Sequence, residues 1–209
     1  MSEQLETEPT VAPSLFGDNI DRARQFTENL ARHGEERGLI GPLEVPRLWT
    51  RHILNSAIAA PHFHGRSVDV GSGAGLPGLV LAIARPDVEW TLIEPMERRT
   101  AWLTEQVAEL ELSNVTVARM RGEEWTGGRV FDVATARAVS ALRTLLPFTA
   151  PLVRPRGKLV FLKGANVAAE VDAAAKQIRK FGLEDVTIEM VGEGVLDEPT
   201  RVFSATVAR

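Results

Sequence analysis

Two rhythms of apolar residues run through the chain. From Ser67 onward, short apolar runs at 67–70, 89–93, 115–118, 131–135 and 158–162 read as buried strands, and apolar residues at helical spacing over 76–85, 97–110, 142–153 and 168–181 read as helices. Such alternation predicts an α/β fold with a mostly parallel, doubly wound sheet. The alternation stops near the C-terminus, where 186–191 and 201–207 are two strand-like runs joined by a loop with no helix between them. They are expected to close a seven-stranded sheet as an antiparallel hairpin.

Upstream of Ser67 the pattern is helical. Ile20, Ala23, Phe26, Leu30 and Ala31 repeat at helical spacing behind Asp18 or Asn19 as a cap, and the run fades in the glycines from Gly34 to Gly38. A second helix is expected from just after Pro46 to about Ala59. Residues 1–17 carry Glu3, Glu6 and Glu8, two prolines and no periodicity, and read as a disordered acidic tail. The expected division is therefore a tail (1–17), a small N-terminal helical cap (18–64) and one α/β domain (65–209).

With 209 residues and 44% hydrophobic content, the chain can bury one good core and no more. It has no cysteine, which excludes disulfides, thiolate metal sites and a cysteine nucleophile, and suits a cytoplasmic protein. No apolar run reaches membrane length and no charged-then-apolar leader is visible, so a soluble intracellular protein is expected. The histidines His33, His52, His62 and His64 lack metal-ligand spacing with nearby acids, and no metal is expected. The net charge of −4 is concentrated at one end: the first 21 residues hold five acids and no base, leaving 24 basic against 23 acidic side chains in the rest. A neutral body permits local basic patches.

Candidate chemistry gathers at 68–78, Val-Asp-Val-Gly-Ser-Gly-Ala-Gly-Leu-Pro-Gly. Gly71, Gly73 and Gly75 lie between a strand and a helix, where backbone N–H groups can approach a nucleotide or adenosyl group without a Cβ in the way. Pro77 suits the first turn of the helix that follows. Asp69 places a carboxylate inside the first strand, where it needs a partner; capping the glycine turn would be a purely structural use. Glu94 ends the second strand, placed to accept both ribose hydroxyls of an adenosyl ligand.

A five-strand parallel run closed by a hairpin resembles the class I S-adenosylmethionine-dependent methyltransferase fold, and Asp-x-Gly-x-Gly-x-Gly from Asp69 to Gly75 resembles its first motif. Together with Leu-Pro-Gly at 76–78, Glu94 to Arg99, Arg119 to Trp125, Thr135 to Ser140 and Leu162 to Gly164, the chain resembles the 16S ribosomal RNA methyltransferase G family, also called glucose-inhibited division protein B. The resemblance implies methylation of N7 of a guanine (527) in 16S ribosomal RNA, with S-adenosyl-L-methionine as cofactor and the rRNA or small ribosomal subunit as partner, by a monomer. It also implies that Asp69, Gly71, Gly73, Gly75 and Leu76 line the cofactor, that Glu94 takes the ribose, that Gly122 and Glu123 meet the adenine end, and that Arg137 contacts the cofactor from the fourth strand. Glu123 could equally be a solvated loop acid beside Glu124, and Arg137 a structural ion-pair partner.

The residues can be tested against that reaction. Pyrimidine C5 methylation in its usual form needs a cysteine nucleophile, which is absent. Methylation of exocyclic amines in this fold usually employs an Asn/Asp-Pro-Pro-aromatic turn after the fourth strand, where this chain reads Ala134-Thr135-Ala136-Arg137-Ala138. Guanine N7 carries no proton, so no catalytic base is required and alignment with matched charge suffices. For RNA, Arg98, Arg99, Arg119, Arg121 and Lys163 fall near the carboxyl ends of strands and are candidates for phosphates. Arg51, His52 and Asn55 on the second cap helix are candidates to reach the target guanine. Trp49, Trp90, Trp102 and Trp125 read as packing residues. A small-molecule methyltransferase of the same fold and a non-catalytic nucleotide-binding regulator stay open at this point.

Overall fold

A computed structural model describes residues 4–208. Seven strands form one sheet: β1 (Arg66–Val70), β2 (Glu89–Ile93), β3 (Val115–Ala118), β4 (Phe131–Arg137), β5 (Val153–Lys163), β6 (Leu183–Val191) and β7 (Thr200–Val207). Their order is β3-β2-β1-β4-β5-β7-β6, with β1 to β5 mutually parallel and β7 antiparallel to both of its neighbours. The chain thus winds outward from β1 to one edge, returns to β4, and winds to the other. The switch point lies between β1 and β4, where ligands bind in sheets of this kind.

Both faces of the central strands are covered, and β1 and β4 are buried almost from end to end. On one face α4 (Gly78–Ala84) and α5 (Glu97–Glu109) join the N-terminal helices α1 (Ala12–Phe16) and α2 (Ile20–His33) over Phe26, Leu30, Trp49, Leu79, Ile83, Leu92 and Trp102. On the other face α6 (Leu142–Thr149), α7 (Val167–Ala173) and α8 (Ala175–Lys180) cover Val68, Val70, Ala134, Phe161 and Phe203. Trp90 stacks obliquely on Phe63 at 5.1 Å, and Trp102 donates its indole N–H to the Ala74 carbonyl at 3.0 Å. The expected packing role of these tryptophans is what the structure displays.

Three expectations need correction. The segment read as a disordered tail joins the core at α1: Ala12 and Phe16 are 0% and 3% exposed, and ahead of them Glu8 accepts two hydrogen bonds from Arg24 of α2. Met1, Ser2 and Glu3 lie outside the described residues. The second cap helix is not one regular helix. A 3₁₀ turn, Val45–Arg47, leads into a π-helical turn, Trp49–Leu54, before the short α3 (Asn55–Ala57). A π turn widens the backbone and is common at functional sites; here it carries Arg51 and His52. Finally, the helix expected at 168–181 is two helices, interrupted at Ala174, whose φ of −94° and ψ of 5° leave the helical region.

Candidate functional site

The glycine turn follows β1 at the switch point. Ser72 N and Gly71 N both bond to the Ile93 carbonyl, tying the turn to the end of β2. Gly71 and Gly73 have φ of +78° and +57° for different reasons. A Cβ on Gly71 would sit 2.8 Å from Val139, so this glycine permits a close approach between turns. A Cβ on Gly73 would meet only the Gly71 carbonyl oxygen, at 3.8 Å, so this glycine opens space in the cleft. Pro77 stands just before α4 rather than inside it.

Asp69 is fully buried under this turn. Its Oδ2 accepts the Gly78 N–H at 3.0 Å, so it does cap the start of α4, while Oδ1 has no partner. A side chain at Gly78 would lie 2.5 Å from that carboxylate, which accounts for the glycine. Burial pushes the Asp69 carboxyl up to about 7. Glu94 is 2% exposed; its Oε2 accepts Gly73 N–H and its Oε1 accepts Met96 N–H, each at 2.9 Å. Each oxygen keeps a lone pair for a further donor.

Gly71, Gly73 and Glu94 line a cavity of about 520 Å³ with Ile40, Glu44, His52, Ala74, Leu76, Arg99 and Arg137, and Asp69 is buried beneath the turn. The cavity fits an adenosyl sulfonium on two grounds: the space at Gly73 that a Cβ would fill, and the Glu94 carboxylate presented for paired hydroxyls. The chain after β4 forms its far wall. Ala138 adopts φ +55°, and Arg137, Ala138 and Val139 separate this cavity from a second one of about 550 Å³. The second cavity is bounded by Arg51, Asn55, Ser140, Lys163, Glu170 and Arg201, and the buried Ser140 Oγ has no partner.

Residues 19–199 match the family described as rRNA small subunit methyltransferase G (GidB). The chain is 62% identical over 208 residues to a protein named ribosomal RNA small subunit methyltransferase G from Leifsonia xyli, covering 99% of this chain and all of that one. A protein of the same name from Clavibacter michiganensis is 60% identical, covering 98% and 97%. The chain belongs to the rRNA small subunit methyltransferase G family. Among solved structures, the fold is shared with the methyltransferase SibL in its apo form (TM-score 0.59, 16% identity, 94% of this chain and 74% of that one). It is shared too with the tRNA (m1A58) methyltransferase TrmI of Aquifex aeolicus (TM-score 0.57, 15% identity, 73% and 67%). The seven-stranded sheet with its antiparallel ending is the class I methyltransferase fold.

Within this family member, the sequence-derived site residues separate into groups. Asp69, Gly71, Gly73, Leu76, Glu94 and Arg137 converge on or directly beneath the first cavity, and Gly75 packs on Leu79 just behind it. Gly122 and Glu123 do not line it. They border a small cavity of about 180 Å³ with Trp125 and Phe148, Glu123 being exposed and Gly122 packed against Val70. The residues assigned to RNA divide as well. Arg98 is exposed beside Gly38, and Arg51 is half-exposed near Glu44 at 3.4 Å. Arg99 turns into the first cavity with a buried, unpartnered Nε. Lys163 is no free cation: its side chain is 9% exposed, and Nζ lies 2.7 Å from Glu170 and 3.0 Å from the Ser140 carbonyl.

His52 is likewise an interior residue. Its Nε2 lies 2.6 Å from Glu44 Oε2 and its Nδ1 lies 2.8 Å from Arg137 Nη2. Because a guanidinium only donates, Nδ1 must accept, which leaves the proton on Nε2 for Glu44. Burial and then Arg137 bring His52 down to about 4, so it is neutral at physiological pH. Burial works to raise Glu44, yet the hydrogen bonds from His52 and Arg47 outweigh it and hold the carboxyl below its ordinary value. Arg137 is itself lowered to about 10 by burial. Sequence reading missed Glu44 and Glu170, neither of which lies in a motif, and Ser140, which ends the stretch from Thr135 but was assigned no role. The single available signal was the Ala-Arg-Ala turn, which marks the wall they support. Among the described residues, no group of three or more histidine and acidic side chains could hold a metal, and no helix is long and apolar enough to cross a membrane.

Proposed function

We propose that the chain methylates N7 of a guanine, position 527, in the 16S ribosomal RNA of the small subunit. S-adenosyl-L-methionine is the methyl donor and supplies a sulfonium methyl already activated for attack. The observation that carries this reading is the pair of cavities sharing the wall Arg137–Val139. Asp69, Gly71, Gly73, Leu76 and Glu94 would hold the cofactor in the first. Glu94 meets ribose hydroxyls, and Asp69 supports the glycine turn from below through the Gly78 N–H. The second cavity, with Arg51, Arg137 and Arg201 at its border, admits the base and attracts its phosphates.

The chain's residues then have one task, which is orientation. N7 offers a lone pair without a proton, so no side chain needs to act as a base, and neutral His52 is not placed to be one. Holding the reactants in alignment and excluding water supplies the catalysis available to such a site. We propose that the chain acts as a monomer in the cytoplasm, where ribosomes are built.

The test is methylation of 16S rRNA or small subunits in vitro, read by mass spectrometry of the nucleosides. N7-methylguanosine at one position is expected, and none when that guanine is replaced by 7-deazaguanine. A methyl on N1, N2 or O6, or efficient methylation of free GTP, would overturn the reading.

A further inference from the structure

Among the described residues Arg137 is the one arginine or lysine that borders both cavities, and no carboxylate pairs with it. Its contacts are the Nδ1 of His52 at 2.8 Å and the Arg51 carbonyl at 3.4 Å, both contributed by the π-helical turn of the N-terminal cap. Glu44, from the loop ahead of that turn, takes the opposite side of the imidazole at 2.6 Å. The charged groups around this array are Glu44, Arg47 and Arg51 from the cap, Arg137 from β4, and Asp69 from β1 behind it.

An arginine that must stand between a positively charged methyl donor and an incoming base cannot be fixed by a carboxylate there without neutralising the charge it brings. A neutral acceptor fixes the guanidinium and leaves its charge intact. An imidazole can serve only if its tautomer is set, and the Glu44 carboxylate sets it.

We propose that His52 is a positioning residue: through Nδ1 it fixes the Arg137 guanidinium in the wall between the two cavities, and Glu44, by accepting the Nε2 proton, selects the tautomer that makes this possible. The cap is thereby part of the catalytic apparatus rather than a cover on it. The kinetic side of this proposal rests on the methyl-transfer reading above; the tautomer does not.

Two experiments test it. The first is nitrogen-15 NMR of His52 in the intact, ligand-free protein. The expected spectrum is that of a neutral ring protonated on Nε2, and Arg137→Gln should move its titration upward, toward the ordinary histidine value of about 6.5. A ring protonated on Nδ1, or a titration that Arg137→Gln does not move, overturns the proposal whatever reaction the protein catalyses. The second is kinetic. His52→Ala should lower kcat by about 10²-fold, the cost of a misplaced group, with the KM for S-adenosylmethionine changed far less. His52→Asn, whose amide oxygen can stand near Nδ1, should recover most of the loss, whereas His52→Lys should recover none. Equal losses in Asn and Lys variants that unfold at the same temperature would assign His52 a merely structural role. Failure of the wild type to methylate rRNA would sink the function reading and leave the NMR result standing.

Discussion

Gly71 and Val139 touch across the switch point: a Cβ on the glycine would lie 2.8 Å from Cγ2 of the valine, and Gly71 already holds φ at +78°. The glycine turn and the turn after β4 are therefore fitted to one another, and the wall between the cavities depends on that fit. Gly73, two residues on, faces open space. Gly71→Ala should thus lower the unfolding temperature through both left-handed strain, about 1–2 kcal/mol, and the clash. Gly73→Ala bears the same left-handed strain, at φ +57°, without the clash, so it should keep the fold closer to wild type yet weaken cofactor binding. Thermal unfolding and calorimetry on the two variants check this; equal stability and equal binding in both would refute the distinction.

Glu94 is already oriented by Gly73 N–H and Met96 N–H, so it needs no rearrangement to receive ribose hydroxyls. Glu94→Gln keeps the shape but turns one backbone acceptor into a donor. Each hydrogen bond to a charged group is worth about 1.5–3 kcal/mol, so affinity for S-adenosylmethionine should fall by roughly 10- to 100-fold. Calorimetry measures it directly, and the wild type should show no comparable binding of NAD.

The parallel strands are legible because each is a short, mostly apolar run between turn residues, and β2 and β3 begin and end where those runs do. Asp69 and Glu94 were legible because a carboxylate in an apolar strand stands out against its neighbours. Residues 4–17 were misread because their few apolar side chains pack on partners far along the chain: Phe16 joins a cluster with Leu79 and Trp102, and Glu8 binds Arg24. The π turn left no periodic mark. Lys163 was placed on the correct edge but assigned a phosphate, since sequence shows a charge and not the partner that consumes it. Glu44 reaches Arg137 only through His52, and no local pattern joins positions so far apart.

Lys163 carries the next expectation. With Glu170 it forms a largely enclosed pair, and Glu170 Oε2 also accepts Leu142 N–H, so the two side chains hold the start of α6 and the Ser140 carbonyl in place. Lys163→Ala should therefore destabilise the fold, by up to about 3–5 kcal/mol if the carboxylate stays buried. It should leave the salt dependence of RNA binding unaltered. Arg51→Ala and Arg98→Ala should do the reverse, each flattening the slope of log affinity against log salt by about 0.7–0.9 with little loss of stability. Salt titrations of RNA binding beside chemical unfolding separate the two. A flattened slope in Lys163→Ala with stability intact would return that lysine to the RNA surface.

Asp69 gives the fold a pH dependence of unusual sign. Burial raises its carboxyl from 3.8 to about 7 in the folded chain. Between those values the native state keeps a proton that the unfolded chain has released, so stability falls as pH rises through that window, by at most about 1.4 kcal/mol per pH unit. Below the unfolded value the contribution is fully present; above about 7 it is gone, and the buried carboxylate stands ionised with one oxygen unpartnered. Asp69→Asn can still accept the Gly78 N–H and cannot ionise. Its stability relative to wild type should therefore climb between pH 5 and pH 8, measured by chemical denaturation across that range. A difference in stability that stays flat with pH would mean that Asp69 is ionised in the folded protein well below neutrality, and that Arg137 and the start of α4 compensate its charge more fully than its burial opposes it.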